Sequence, residues 1–144
     1  MNTLKIKQTM PSIFLSMILL LLASCATTGS TMPHAFNALL TTEYDQKLSK
    51  RIPVKDFSLE DTVVSNVYFQ WADVSSSSGE HRVEWRWYKE GILVSQSEKR
   101  LKFNTSPYTT WTTRAASSLG VGHYKVDTIL DGQVASSSEF DIKP

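Results

Sequence analysis

His-Arg-Val-Glu-Trp-Arg-Trp-Tyr, residues 81–88, is the stretch that decides the fold of this chain. Its apolar residues Val83, Trp85 and Trp87 alternate with charged ones. Because successive side chains of a β-strand point to opposite faces of a sheet, this period of two predicts a strand with one buried and one solvated face. The buried face is expected to be the one that carries the two tryptophans.

The same period of two continues on both sides of this stretch. One face is predicted to be shared by Val63, Val67, Phe69 and Trp71, another by Tyr124, Val126, Thr128 and Leu130, and a third by Phe140 and Ile142. The Ser-rich segment 75–79 indicates a hairpin loop between the first two strands, and Glu90-Gly91 and Asp131-Gly132 indicate turns. Tyr124 is a candidate for a tyrosine corner.

About seven strands result, counting one near residues 52–59, at spacings of about 8 to 14 residues and with no convincing helix among them. This pattern is typical of a small all-β protein with an immunoglobulin-like or fibronectin-like β-sandwich. A closed small barrel is the alternative. The absence of a second cysteine excludes the antibody-type subclass with its inter-sheet disulfide.

The first 24 residues read as a secretory signal. Lys5 and Lys7 precede the uncharged stretch 10–23, and small residues lead to Cys25, the only cysteine of the chain. Fourteen residues span about 21 Å as a helix, less than the ~30 Å of a hydrocarbon core. A permanent transmembrane helix is therefore disfavoured.

Leu22, Ala23, Ser24 and Cys25 resemble, residue by residue, the bacterial lipobox. The resemblance implies that Cys25 becomes the mature N-terminus and carries a thioether-linked diacylglycerol and an amide-linked acyl chain. Ala26, rather than Asp, follows Cys25, which by the same resemblance implies delivery to the outer membrane, with the domain in the periplasm. An ordinary cleaved signal with a coincidental cysteine is the alternative.

Three regions follow from these patterns. Residues 1–24 are the predicted lipoprotein signal peptide, residues 25–50 the lipidated Cys25 and a flexible tether, and residues 51–144 the β-sandwich domain. Residues 26–31 are small and polar, as in a flexible linker. Residues 35–50 are expected to be either a loose helix or disordered.

Composition excludes several classes of function. Without Lys5 and Lys7 the mature chain has 13 basic and 14 acidic residues, so no basic surplus favours nucleic acid. With Cys25 lipidated, no disulfide or thiol redox role remains. The serines lie in runs without a G-x-S-x-G motif, and the three histidines (His34, His81 and His123) lack metal-ligand spacing. We expect no catalytic residues, no metal and no cofactor.

Three stretches are similar to immunoglobulin-like domains of unknown function in bacterial envelope proteins, such as domain-of-unknown-function family 2914. The stretches are residues 81–91, 107–114 and 122–142. That family has a Trp at the position that Tyr124 occupies here, and it implies no catalytic residues. The residues that carry the resemblance are His81, Trp85 or Trp87, Gly91, Trp111, Gly122, Tyr124 and Val126.

The solvated face of the 81–88 strand is the candidate binding surface. It carries Arg82, Glu84, Arg86 and Tyr88, and Trp111 in a Thr-rich strand is the best candidate for an exposed aromatic residue. A solvated face with cross-strand ion pairs is the simpler interpretation. The sequence thus predicts a non-enzymatic interaction or assembly module that binds another envelope protein. The alternatives are a glycan- or peptidoglycan-binding module and a hydrolase inhibitor that acts through a loop.

Overall fold

The computed structural model describes residues 32–42, 52–72 and 79–144, which form eight β-strands and one helical turn. Cys25 and the predicted signal peptide lie outside the described residues. Within the described part of the chain, no helix has the length and apolar character needed to cross a membrane. The elements are β1 (His34–Thr41), β2 (Asp56–Ser58), β3 (Thr62–Gln70), β4 (Gly79–Lys89), β5 (Ile92–Phe103), β6 (Tyr108–Ala115), α1 (Ala116–Leu119), β7 (Gly122–Leu130) and β8 (Gln133–Lys143).

The strands form two sheets that pack face to face. A three-stranded sheet has the order β1-β3-β6 and is antiparallel throughout. A five-stranded sheet has the order β2-β8-β7-β4-β5, in which only β2 and β8 run parallel. The predicted all-β sandwich is confirmed.

The core contains the inward side chains that the period of two predicted. Val83, Trp85 and Trp87 of β4 are completely buried. Large aromatic rings dominate such a core because each removes 150–250 Å² from water. The rest of the buried cluster comes from both sheets and includes Phe57, Val63, Val67, Phe69, Trp71, Phe103, Tyr124, Val126, Phe140 and Ile142.

Two tight turns connect neighbouring strands of the larger sheet. Asp131 and Gly132 join β7 to β8 with φ values of 49° and 89°, and Glu90 and Gly91 join β4 to β5 with φ values of 46° and 80°. Positive φ at both central residues is the backbone of a type I′ turn, whose twist matches that of the flanking strands. Both turns are at the predicted positions.

Tyr124 forms the predicted tyrosine corner at the start of β7. Its ring is completely buried, and its hydroxyl lies within hydrogen-bonding distance of the carbonyl oxygens of Leu119 and Gly120. The Tyr124 Oη to Gly120 O distance is 2.9 Å. The hydroxyl has one proton, so it donates to one of these carbonyls at a time. This contact attaches α1 to the five-stranded sheet.

Strand β1 corrects the predicted start of the domain. Residues 34–41 fall in the segment for which a tether or a loose helix was expected, yet they pair with β3 from His34 opposite Gln70 to Thr41 opposite Val64. The register shifts between Ala35 and Asn37, as in a β-bulge. A bulge breaks the period of two, so the apolar spacing of this strand resembles that of a helix. The sandwich therefore begins before residue 51.

A second correction concerns β3 and β4, which do not form a hairpin. β3 pairs with β1 and β6, whereas β4 pairs with β5 and β7 in the other sheet. As the central strand of its sheet, β3 is also buried on its outer face at Val64, Asn66 and Tyr68. Alternation identifies the inward residues of a strand but not the sheet to which the strand belongs.

Candidate functional site

The predicted binding residues lie on two different sheets. Arg82, Glu84, Arg86 and Tyr88 share the outer face of β4, opposite the buried tryptophans. Trp111 lies on β6 of the three-stranded sheet, where its register partner is Asn66. Because the core separates the two sheets, these five residues do not form a single binding face, and the prediction that grouped Trp111 with the others is wrong.

Glu84 and Arg86 form the best-defined ion pair on this face. Arg86 Nε donates to Glu84 Oε1 at 2.6 Å, and Arg86 Nη2 lies 3.3 Å from Glu84 Oε2. The Glu84 side chain is only 10% exposed, so its charge is largely removed from water. The hydrogen bond from Arg86 compensates for this and raises the pKa of Arg86 above its ordinary value.

A second pair lies next to the first on β7. Lys125 Nζ is 3.0 Å from Asp127 Oδ2, and Ser137 Oγ donates to Asp127 Oδ1 at 2.5 Å. The hydrogen bond to Asp127 raises the pKa of Lys125, whose ammonium also lies 4.8 Å from the centre of the Tyr88 ring. Arg82 has a weaker partner, with Nη1 3.8 Å from Glu98 Oε2. The charged residues predicted on β4 thus have intramolecular partners.

Trp111 is half-buried, and a lysine lies against one face of its ring. Lys99 Nζ is 5.1 Å from the centre of the Trp111 ring and 5.5 Å from that of Trp85, and it donates to the Trp111 carbonyl at 2.7 Å. Burial lowers the pKa of Lys99. The lysine thus links the edge of the three-stranded sheet to the core of the other sheet.

The Lys99 contact belongs to a polar seam between β5 and β6, which the sequence reasoning missed. Arg114 Nε donates to Ser95 Oγ at 2.9 Å, and Ser97 Oγ is 3.3 Å from Thr112 Oγ1. The seam was not apparent from the sequence because both faces of this part of β5 carry polar residues. No apolar period of two therefore marks the inward face of the strand. A signal was present in Ser95, Ser97 and Lys99, which share one phase of the strand.

Two of the three histidines, His81 and His123, have carboxylate partners, whereas His34 Nδ1 lies 3.4 Å from the Met32 carbonyl oxygen. His81 Nδ1 is 2.7 Å from Asp131 Oδ2, and His123 Nδ1 is 2.9 Å from Asp141 Oδ1. Within residues 32–42, 52–72 and 79–144, no three His, Cys, Asp or Glu side chains are grouped so that they could hold a metal ion.

His123 allows a prediction of pH dependence. Its hydrogen bond to Asp141 raises the pKa of His123, which makes the protonated imidazole stabilising in the folded state. This stabilisation is complete below the unfolded value of about 6.5 and is lost as the pH rises through the raised folded pKa. The difference in urea midpoint between wild type and His123→Gln should therefore be largest in mildly acidic buffer and should vanish in alkaline buffer. In an Asp141→Asn background, the effect of His123→Gln on the urea midpoint should not vary with pH in this way. If it still did, the pH dependence could not be attributed to the hydrogen bond between His123 and Asp141.

Exposed aliphatic side chains concentrate at the two ends of the sandwich. At one end, edge strand β5 begins with Ile92, Leu93 and Val94, and Val121 precedes β7. We call these four residues the β5 patch. At the other end, Met32 and Val134 line a cleft between the start of β1 and the β7–β8 turn. Neither group was singled out by the sequence reasoning, because isolated aliphatic residues near turns are common.

The crystal structure of an immunoglobulin-like protein from Pseudomonas aeruginosa matches this architecture. The superposition has a TM-score of 0.50 and covers 77% of this chain and 96% of that one, at 7% sequence identity. The chain has an immunoglobulin-like fold. At this identity the similarity shows the fold alone, and function has to be argued from the site.

Other comparisons add no functional argument. A β-glucosidase from Listeria innocua matches with a TM-score of 0.48 and 8% identity, and the match covers 76% of this immunoglobulin-like chain but only 15% of the enzyme. The complex of that enzyme with glucose gives a TM-score of 0.47 at 9% identity and covers 75% of this chain and 16% of that one. No protein-family model and no curated protein matches the sequence.

Proposed function

We propose that the chain is an outer-membrane lipoprotein whose immunoglobulin-like domain is a non-enzymatic interaction module that binds another envelope protein in the periplasm. The anchor part of this proposal is supported by the lipobox-like residues Leu22 to Cys25 at the end of an apolar run. Two or more acyl chains would hold the protein stably, since each buried CH₂ contributes about 0.8 kcal/mol.

The β5 patch carries the interaction part of the proposal. Ile92, Leu93 and Val94 are consecutive exposed aliphatic residues, and Ile92 is 70% exposed. Among the described strands, β5 pairs its backbone only with β4. The side-chain contacts that join β5 to β6 begin at Ser95, after the patch. Folded proteins normally protect edge strands with charges, and the second half of β5 does so with Arg100 and Lys102. The unprotected first half suits an extended apolar segment of a partner, added as a further strand.

A matched pair of substitutions tests this interaction. Ile92→Lys places a charge in the β5 patch, whereas Ile52→Lys makes the same change at a residue that is 78% exposed and lies outside the patch. Both side chains are exposed, so neither variant should unfold. A specific envelope protein should co-purify in detergent with wild type and with Ile52→Lys, and this recovery should be largely lost with Ile92→Lys. Equal recovery with both variants, or no stoichiometric partner with wild type, would contradict the proposal.

The anchor has a separate test. Cys25→Ala should accumulate as an uncut precursor without fatty acid, as read by mass spectrometry of the intact protein. The wild type should start at Cys25 and carry acyl chains. Normal acylation of the variant would refute the lipid anchor without bearing on the β5 patch.

Glycan or peptidoglycan binding is the second candidate function, and the aromatic residues of the three-stranded sheet favour it. Phe36 is exposed with its ring 5.9 Å from that of Tyr68, and Trp111 is half-exposed on the same sheet. Sugar rings could stack only on the face of the Trp111 ring opposite Lys99. Muropeptides should then quench tryptophan fluorescence in wild type but not in Trp111→Ala. A hydrolase inhibitor, the third interpretation, would act through a loop, and the Ser-rich residues 75–78 lie outside the described residues.

A further inference from the structure

We propose that the end of the sandwich that carries Met32 and Val134 rests on the membrane surface, so that the bilayer is a ligand of the folded domain as well as of the acyl anchor. This inference rests on the proposed lipidation of Cys25. It assigns the cleft between the start of β1 and the β7–β8 turn to the lipid surface and leaves the β5 patch to the protein partner.

The first support is the short distance along the chain between Cys25 and the sandwich. Strand β1 begins at His34, so Cys25 and Met32 are separated by only seven peptide units. At no more than about 3.6 Å per residue, seven units reach at most about 25 Å, whatever conformation they adopt. The predicted 25-residue tether would have left the domain free of the membrane. The observed start of β1 instead holds this end of the sandwich near the headgroups.

The second support is the apolar character of the same end. Met32 is 64% exposed and Val134 is 63% exposed, and both line one cleft of about 550 Å³. Pro33, Ala35 and Ala135 also line this cleft. Exposed aliphatic side chains beside a lipid anchor can enter the boundary between headgroups and acyl chains, which removes them from water.

The carboxylate that lines this cleft does not oppose the contact. Asp131 is the one carboxylate among the described residues that line the cleft. Its Oδ2 is 2.7 Å from His81 Nδ1, and its Oδ1 accepts the Arg82 backbone N–H at 2.8 Å. Both oxygens thus interact with β4, which limits the repulsion expected from an anionic lipid surface.

This orientation has a consequence for the β5 patch. Strand β7 has nine residues between Gly122 and Leu130, which at about 3.3 Å each span about 30 Å. Val121 precedes the start of this strand, and Val134 follows the turn at its end. When the Val134 end lies on the bilayer, the β5 patch points away from it, into the space where a periplasmic partner can reach it.

A pair of single-cysteine reporters tests the orientation in the full acylated protein. Cys25 Sγ is blocked by its thioether, so an introduced cysteine is the only thiol that a fluorescent maleimide can label. Val134→Cys and Val121→Cys make the same change at exposed residues of opposite ends. Both proteins are incorporated into phosphatidylethanolamine–phosphatidylglycerol vesicles that contain a lipid with a nitroxide on its headgroup. The label at 134 should lose most of its fluorescence, and the label at 121 should lose little, because nitroxide quenching requires close approach.

The outcomes separate the two proposals. Equal quenching at both positions, or stronger quenching at 121, overturns the orientation. Mass spectrometry of the same samples reports on the anchor: a chain without acyl groups refutes the lipoprotein proposal itself. An acylated protein whose 134 label is not quenched refutes the membrane contact alone. As a further check, Met32→Glu should lower the quenching at 134, whereas Ile52→Glu should leave it unchanged.

Discussion

Trp85→Ala should lower the free energy of unfolding by about 3–5 kcal/mol. The indole of Trp85 is completely buried on the inward face of β4, which lies between β7 and β5 in the larger sheet. Its removal costs the transfer free energy of the ring and leaves a cavity that the two sheets cannot close without moving together. Since domains of this size are stable by only about 5–15 kcal/mol, the loss should be plain in urea denaturation followed by far-UV circular dichroism.

Two other variants serve as controls for Trp85→Ala. Trp111→Ala removes the same side chain at a half-buried position and should cost clearly less. Trp85→Phe keeps most of the ring and removes an indole N–H that has no hydrogen-bond partner, so it should also be milder. An unchanged urea midpoint for Trp85→Ala would mean that the faces of β4 are reversed and that its tryptophans form the surface.

Tyr124→Phe should destabilise the domain by about 0.5–1.5 kcal/mol, because it removes the hydrogen bond that the tyrosine corner makes to a part-buried carbonyl oxygen. The phenol oxygen is the only atom removed, so packing of the ring against Phe140, with centroids 5.3 Å apart, is kept. The loss should therefore report on the contacts to Leu119 and Gly120. The measurement is again the urea midpoint. An unchanged dependence of the free energy of unfolding on urea concentration would show that the unfolded state is the same.

Tyr108→Phe is the matched control for Tyr124→Phe. Tyr108 is half-buried and stacks on Phe103 with ring centroids 4.3 Å apart. Loss of its hydroxyl should have a small effect, because the stacked ring remains. If Tyr124→Phe proved no more harmful than Tyr108→Phe, the tyrosine corner would not contribute to stability.

Sequence patterns predicted those features of the sandwich that depend on residues close together in the chain. The alternation of apolar and charged residues along β4 predicted which of its side chains face the core, because the buried and solvated faces of that strand differ strongly in polarity. The turns at 90–91 and 131–132 were marked by Gly91, Asp131 and Gly132, residue types that tolerate positive φ. Tyr124 was recognisable because a tyrosine corner lies at a set place, near the start of the penultimate strand.

Other features did not follow because they depend on residues that are distant in sequence. The bulge in β1 hides its period, and only pairing with β3 shows that residues 34–41 form a strand. The polar seam joins β5 to β6 through side chains such as Ser95 and Arg114, which alternate with other polar residues. The separation of Trp111 from Arg86 depends on which sheet each strand joins.

The sequence by itself determined the all-β class, the inward faces of its main strands and the two tight turns, since these depend on neighbouring residues and on the polarity of each face. It also contains the lipobox-like segment on which the proposed anchor depends. Only the tertiary structure decided how strands pair, where the sandwich begins and which exposed residues lie together at its ends. The sheet that each strand joins is decided by the packing of the whole core. A strand with one apolar face can turn that face to the core from either sheet, so its own sequence does not identify its sheet.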